Sequence, residues 1–353
     1  MRWLIAPLVL IAIAGCGDSS GPGEPEDLGV LLVPNVSAGY YFANPVWTHD
    51  GTELVYVNAS TIGSSNITVL NAVDISTRVV RQLVASEFIT KVVRSGAAER
   101  IYFGTALVSD PNFRISRVNP TSGAAEILMT TSQNGYDEFM EVSADERFLA
   151  RSQRLYDLQT GAQTNLPPGK PFGFSPDGTQ LLYYVEQPGT STQPALISTV
   201  DGSSQTLHST GYFHLAHRWE GNSPQLLMTE SKFIGGRSNY TYRIFEIDGL
   251  SGATHDIAQF STTDSQNPYS VNWSADGRTL ALWIHQGEIA DGTSRTNLYI
   301  IRTGSAPTLV ASATPSFEGG PPGTPVLSPS GNSVAYFYYH PNERRSLYLK
   351  SGI

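Results

Sequence analysis

Residues 172–185, FGFSPDGTQLLYYV, decide the fold class because they join two apolar segments through a tight polar turn. Pro176 fixes φ at the first corner, Asp177 can bond its own backbone two residues on, and Gly178 accepts a positive φ without steric cost. The stretch therefore predicts a β-hairpin. The residues that follow Gln180 are apolar at consecutive positions. Such a strand is buried on both faces, as in a sheet packed between two other sheets.

The same pattern recurs along the chain and predicts a ring of similar sheets. Further copies lie at residues 45–57, 91–104, 140–151, 216–229, 271–284 and 326–339. The first apolar residue after each turn serves as an anchor: Leu54, Ile101, Phe148, Leu181, Leu226, Leu280 and Val334. Their spacings are 47, 47, 33, 45, 54 and 54 residues, close to the roughly 40 to 45 residues of a four-stranded propeller blade. We predict an all-β protein with a single β-propeller of seven blades, with six blades as the alternative.

A second polar turn predicts how each blade ends and how the ring closes. It occurs at residues 74–77, 119–123, 157–161 and 248–252, between an apparent third and fourth strand. In the last unit only three residues follow the strand at 346–350. We predict that residues 30–33, VLLV, supply the missing strand and close the ring, which removes exposed sheet edges.

Composition agrees with a turn-rich β protein and excludes some partners. Charged residues make up 15% of the chain, against about 25% in an average globular protein. The net charge is 22 − 31 = −9. With no basic patch in the sequence, we expect no binding to nucleic acid. We also expect a monomer that carries no cofactor.

The N-terminus has the features of a targeting signal. Residues 1–15 combine Arg2, an apolar run and small residues, the pattern of an export signal. Ile13-Ala14-Gly15-Cys16 resembles the lipobox of bacterial lipoproteins, and this resemblance implies acylation of Cys16, the sole cysteine. Residues 16–27 are Gly-, Ser- and Pro-rich and predict a flexible tether, roughly 18 Å long for 11 residues. Residues 28–353 form the predicted propeller. Gly17 after the cysteine favours the outer membrane, facing the periplasm, over the inner membrane.

The repeated turn also carries a family resemblance. Ser175-Pro176-Asp177-Gly178 and its variants look like the WD40-like repeat of the TolB propeller family, periplasmic proteins of the bacterial cell envelope. The resemblance covers residues 45–350 and implies the propeller fold. Propellers of this family serve as binding platforms, as accessory domains of peptidases, or as lyases, so fold alone does not give the function. The chain departs from TolB itself, which has six blades, a separate small α/β domain and no lipid anchor.

Candidate catalytic residues are few. Gly17-x-Ser19-x-Gly21 matches a nucleophile elbow in letters only, because it lies in the predicted tether without a strand-to-helix scaffold. His214 and His217 lie on a predicted strand, where residues three apart point to opposite faces and share no metal ion. The acidic residues Asp137, Glu138 and Glu141 could line one mouth of the channel, although a solvated loop is the simpler interpretation. The remaining histidines are scattered over five units: His49, His208, His255, His285 and His340.

Two further features have both a binding and a structural interpretation. Trp47, Trp219 and Trp273 recur shortly before the hairpin corner, either as an aromatic platform for a ligand or as core between blades; their common phase favours core. The glycine-rich residues 318–323, EGGPPG, precede no helix that could present amides to a phosphate. We interpret them as a loop between units.

The sequence therefore predicts a membrane-anchored lipoprotein of the cell envelope whose propeller binds a protein or a polymer and is not catalytic. The alternative is a hydrolase or lyase that acts on polysaccharide or peptide in the propeller channel. No metal site is predicted, and the residues that bind the partner are not identifiable from the sequence.

Overall fold

The computed structural model describes residues 28–353, except 38–43, 63–64, 87, 96–98, 108–109, 133–138, 187–192, 209–212, 236–238, 263–269, 289–293, 314–322 and 340–344. Within these ranges all regular structure is β, in 28 strands. They form seven sheets of four antiparallel strands each. The fold is a seven-bladed β-propeller, which confirms the predicted class and the preferred blade number.

The blades follow one another in chain order. Blade 1 contains β2 (Val46–Trp47), β3 (Glu53–Ile62), β4 (Ser65–Asp74) and β5 (Val80–Ser86); blade 2 contains β6 (Phe88–Arg94), β7 (Ile101–Leu107), β8 (Asp110–Val118) and β9 (Ala125–Ser132). Blade 3 contains β10 (Met140–Val142), β11 (Phe148–Arg151), β12 (Arg154–Asp157) and β13 (Gln163–Asn165); blade 4 contains β14 (Gly169–Phe174), β15 (Gln180–Val185), β16 (Gln193–Ser198) and β17 (Ser204–Thr206). Blade 5 contains β18 (Phe213–Glu220), β19 (Ser223–Gly235), β20 (Asn239–Asp248) and β21 (Thr254–Thr262); blade 6 contains β22 (Ser270–Trp273), β23 (Thr279–Glu288), β24 (Ser294–Arg302) and β25 (Thr308–Ala313). Blade 7 contains β26 (Val326–Leu327), β27 (Ser333–Tyr339), β28 (Arg345–Ser351) and β1 (Val30–Val36).

The first strand of each blade lies nearest the central axis. Strand β2 contacts both β6 and β26, β10 contacts both β6 and β14, and β22 contacts both β18 and β26. These contacts between inner strands surround the central channel. The fourth strand of each blade lies on the outer rim.

The N-terminal strand closes the ring as predicted. Strand β1 pairs antiparallel with β28, from Val30 opposite Leu349 to Val36 opposite Arg345. Gly29 has φ +86°, and a Cβ at this position would collide with the Leu349 carbonyl oxygen. The chain therefore needs glycine where it enters blade 7.

Seven apolar clusters form the core, one between each pair of neighbouring blades. All seven predicted anchors are buried, but the anchor of unit three is off by one residue. Leu149 pairs with Val142 and packs toward blade 2, as the other anchors pack toward their preceding blade. Phe148 instead packs toward blade 4. Both residues are apolar, so the sequence alone does not show which of them faces which blade.

The recurrent turn is held by one hydroxyl and one carboxylate. In blade 4 the Ser175 hydroxyl donates to Asp177 Oδ1 at 2.6 Å and accepts the Gln180 N–H at 2.9 Å. The Ser175 hydroxyl, followed by the Thr179 N–H, lowers the pKa of the Asp177 carboxyl to about 2. The same hydroxyl-to-carboxylate bond recurs in three other blades, between Thr48 and Asp50, Ser143 and Asp145, and Ser274 and Asp276. This repeated bond explains why serine or threonine and aspartate recur at these positions.

Candidate functional site

A groove lined by described residues lies between blades 2 and 3. Its volume is about 430 Å³. It lies between β9 at the outer edge of blade 2 and the turns of blade 3. The strands of blade 3 have three or four residues, whereas those of blade 2 have seven to nine. Its lining includes Arg100, Arg117, Thr130, Glu146, Gln159 and Gln163.

The charges in this groove are bound to one another. Arg100 Nη1 lies 2.8 Å from Glu146 Oε2, and Arg117 Nη1 lies 3.8 Å from the same oxygen. Arg117 also pairs with Glu126 on β9. The groove therefore presents an ion-paired array formed by Arg100, Arg117, Glu126 and Glu146.

Glu146 takes an unusual backbone conformation to reach this array. It has φ 58°. In blades 1, 4, 6 and 7 the positive-φ position of the same turn is held by Gly51, Gly178, Gly277 and Gly331. A left-handed conformation costs a non-glycine residue roughly 1 to 2 kcal/mol. Strain of this kind tends to be retained at functional sites, so the substitution marks the groove as a candidate site.

The channel wall carries a second group of charged residues. Glu141 on β10 is partly buried, and burial raises its pKa to about 7, although the nearby Lys91 on β6 acts in the opposite direction. On the next blade, Lys170 Nζ lies 4.7 Å above the Phe139 ring. Lys91, Glu141 and Lys170 thus come from the first strands of three adjacent blades. Asp137 and Glu138, which precede Glu141 in the sequence, lie outside the described residues.

The two predicted histidine positions lie on β18, which is a strand as expected. His217 fills the space beside blade 4, where a Cβ on Gly173 would approach its Nε2 to 2.5 Å. Burial lowers the pKa of His217 to about 4. A bulge between His214 and Ala216 interrupts the pairing of β18 with β19. Among the described residues, no group of three or more His, Cys, Asp or Glu could hold a metal ion.

The tryptophans pack between blades, as the structural interpretation predicted. Trp47, Trp219 and Trp273 each contact the apolar cluster shared with the preceding blade. The prediction that all three tryptophans occupy the same position of the repeat is wrong for Trp219. Trp47 and Trp273 pair with the anchors of their blades, whereas His217 pairs with the anchor of blade 5 and Trp219 lies two residues further on. The hairpin of blade 5 is longer, which shifts the tryptophan.

Other candidate residues have no described surroundings. Cys16, Ser19 and the whole predicted tether precede residue 28, where the description begins. Lipidation of Cys16 therefore stays a prediction, and so does the signal peptide. In the predicted loop at 318–323 only Gly323 is described. No helix in the described part of the chain is long and apolar enough to cross a membrane.

The sequence did not predict the groove between blades 2 and 3. Its side chains come from two units, and their proximity depends on how blade 2 packs against blade 3. One sign was available: the third unit has glutamate where the clearest unit, residues 172–185, has glycine. Another was the short spacing of 33 residues after unit three.

Solved structures of similar fold are distant in sequence. Oligogalacturonate lyase from Vibrio parahaemolyticus has a TM-score of 0.63 at 12% identity, over 92% of this chain and 92% of that chain. The β-propeller domain of the Trilobed protease from Pyrococcus furiosus has a TM-score of 0.57 at 12% identity, over 92% and 97%. TolB from Acinetobacter baumannii has a TM-score of 0.47 at 13% identity, over 86% and 82%.

Neither a protein-family model nor a curated protein matches the chain. At 12% identity the likeness to solved structures shows the fold alone, and proteins of this fold include a lyase and a domain of a protease. The chain is a seven-bladed β-propeller closed by its N-terminal strand.

Proposed function

We propose that this protein is an exported lipoprotein, anchored to the bacterial envelope through Cys16, whose propeller binds a protein or polymer in the groove between blades 2 and 3. The observation that carries the proposal is the ion-paired array of Arg100, Arg117 and Glu146 in that groove. Its donors and acceptors are fixed before any partner arrives. Preorganised polar groups lower the entropic cost of binding.

The same array is poorly suited to proton transfer. A general base needs a pKa near the working pH and a free lone pair directed at the substrate. Glu146 Oε2 is engaged by the guanidinium groups of Arg100 and Arg117, so this oxygen is not directed at a substrate. The groove therefore fits recognition of a polar surface better than acid–base chemistry. A partner with both donors and acceptors, such as a peptide backbone or a polysaccharide, matches its mixed charges.

Glycine at position 146 separates the role of the groove from that of the fold. Glu146→Gly relieves the left-handed conformation, so the free energy of unfolding should stay the same or rise by up to about 1 kcal/mol. The carboxylate that orients Arg100 is lost, so we expect partner capture to fall severalfold. The measurement is cross-linking in intact cells, followed by purification through the propeller and quantification of the captured partner.

Arg278→Ala is the matched control for this capture experiment. Arg278 is exposed in the corresponding turn of blade 6, far from the groove, and its removal should leave capture unchanged. Equal capture by wild type and Glu146→Gly would contradict the proposal, as would failure of the wild type to capture any discrete partner.

Glu141 favours the second candidate function, a hydrolase or lyase acting in the channel. A carboxyl with a pKa raised to about 7 by burial is suited to act as general acid or base. In this alternative, Glu141 would exchange a proton with the substrate and Lys91 would stabilise negative charge. Loss of all turnover in Glu141→Gln, with partner capture intact, would identify this candidate.

Glu141→Gln also has a predicted effect on stability. Because the pKa of Glu141 is raised in the folded state, ionisation opposes folding as pH rises from about 4.5 to 7, and the full penalty is present above pH 7. Glutamine removes this charge, so the free energy of unfolding at pH 8 should rise by about 1 to 3 kcal/mol. At pH 4 the variant and wild type should unfold alike. The unfolding of wild type and Glu141→Gln is compared by urea denaturation at pH 4 and pH 8. Equal midpoints at pH 8 would show that ionisation of Glu141 does not oppose folding.

A further inference from the structure

Two kinds of turn, between the first and second strands and between the third and fourth strands of a blade, lie at one end of the propeller. This end is here called the turn face. In every blade, the first strand ends and the second begins at this face, and in blades 1 to 6 the turn between the third and fourth strands also lies there. The second kind includes residues 157–161 of blade 3, 198–202 of blade 4 and 248–252 of blade 5. The turn face is thus a continuous surface made of short polar turns.

The chain enters the propeller at the turn face. Val30 pairs with Leu349, and Gly29 lies against Leu349 and Lys350 near the end of β28. Two residues further on, the Gly352 N–H donates to the Asn332 carbonyl oxygen in the turn of blade 7. Leu28 itself is buried between blades 6 and 7. The predicted tether and its lipid therefore attach at this face, beside blades 6 and 7.

Exposed apolar side chains gather at the same end. Among the described residues, nine large hydrophobic side chains are exposed. Eight of them lie in the turns before the outer strands or in the first three residues of those strands: Val30, Leu31, Val79, Val80, Ile127, Val200, Leu250 and Leu309. Five of the eight belong to blades 4 to 7. The ninth, Phe233, lies at the opposite end of β19.

Val200 and Leu250 have the most telling positions. They occupy the same place in the turns of the neighbouring blades 4 and 5, with 85% and 40% of their surface exposed. The corresponding position in blade 3 is Gln159. A single exposed apolar residue means little. Exposed apolar residues that recur at one end of four successive blades beside the tether indicate a surface that faces an apolar phase.

The charged residues on the turn face of blades 4 to 7 indicate which kind of lipid surface this face would contact. Asp201 and Asp248 stand next to the apolar tips, where each accepts hydrogen bonds from its own turn. Arg302 and Lys350 lie on the same face. The mixture gives no net attraction to anionic headgroups. A zwitterionic lipid surface is therefore the occupant that fits.

We propose that the turn face of blades 4 to 7 lies on the membrane that holds the acyl chains, with Val200 and Leu250 in the headgroup region. This inference rests on the proposed anchoring through Cys16. Apolar side chains on such a surface reach about 5 to 10 Å into the boundary of headgroups and acyl chains. In a ring of seven, the groove between blades 2 and 3 lies across from blade 6. The groove is thereby tilted away from the lipid and stays open to a partner.

Fluorescent reporters test this orientation. The lipidated full chain is reconstituted in vesicles of phosphatidylethanolamine and brominated phosphatidylcholine, with one cysteine introduced as Val200→Cys or Leu250→Cys and labelled with a fluorophore. Cys16 is acylated and does not react with the label. Phe233→Cys is the matched control, because it replaces an exposed apolar residue at the opposite end. We expect severalfold stronger quenching at positions 200 and 250 than at 233, in labelled proteins whose unfolding midpoints equal that of the wild type.

The possible failures of this experiment are distinct. If the lipidated chain does not float with the vesicles, the proposed anchor is wrong, and the orientation is wrong with it. If the chain floats but the reporters at 200 and 250 are not quenched, or the one at 233 is quenched more, only the orientation is overturned. Cys16→Ser chains, which carry no lipid, should show no quenching at any position.

Discussion

Cys16→Ser should move the protein almost completely from the membrane fraction to the soluble fraction. Serine cannot form the thioether that attaches the lipid. Each buried methylene of an acyl chain contributes about 0.8 kcal/mol to membrane binding, and two or more chains give stable anchoring. The few exposed apolar side chains on the turn face are too small to replace that contribution. The measurement is fractionation of cells that express the variant, with the intact mass of the wild-type protein as evidence for acylation.

Ser19→Ala is the matched control for the anchor. It lies three residues after Cys16, and its hydroxyl has no part in acylation, so this variant should stay with the membrane. The anchor is contradicted if Cys16→Ser also remains in a salt-washed membrane, or if the wild type carries no added acyl mass.

Deletion of residues 28–36 should abolish the cooperative unfolding transition. The deletion removes β1 with Leu32, Val33 and Val36, which are buried against Leu347 and Leu349. At roughly 1.5 to 3 kcal/mol for each buried side chain, the loss is about 5 to 9 kcal/mol. This is comparable with the entire stability of a typical domain, about 5 to 15 kcal/mol. Blade 7 would also be left with an unpaired outer edge that can pair with other chains.

Deletion of residues 17–27 is the matched control, since it shortens the chain by a similar length without touching the ring. Its thermal midpoint should equal that of the full chain. If the chain without residues 28–36 unfolds at the same urea concentration as the full chain, β1 does not stabilise the closed ring.

The sequence predicted the fold well because propeller turns impose local chemistry. A hydroxyl and a carboxylate at fixed offsets hold the turn between the first two strands in four blades, as at Ser175 and Asp177, and in blade 4 Gly178 takes the positive φ. The closure by residues 30–33 followed from counting strands in the last unit. These features depend on residues that are close together in the sequence, so the sequence of one chain predicts them.

The candidate site was harder to predict because it depends on contacts between units. Glu146 meets Arg100 across 46 positions of sequence, and their meeting requires that the first turns of blades 2 and 3 lie side by side. The raised pKa of Glu141 comes from burial, which is a property of the assembled channel. The misplacement of Phe148 has a related cause, because two adjacent apolar residues leave the register open by one.

Photo-cross-linking from the groove in intact cells tests the central claim most directly. A photoreactive residue replaces Gln163 on β13, which lines the groove, or Gln205 on β17, an exposed glutamine on the outer strand of the next blade. We predict a discrete adduct of one envelope component from position 163, none from position 205, and loss of the adduct in Cys16→Ser. The absence of any discrete adduct from position 163, or the same adducts from both positions, would contradict an anchored binding platform that uses this groove.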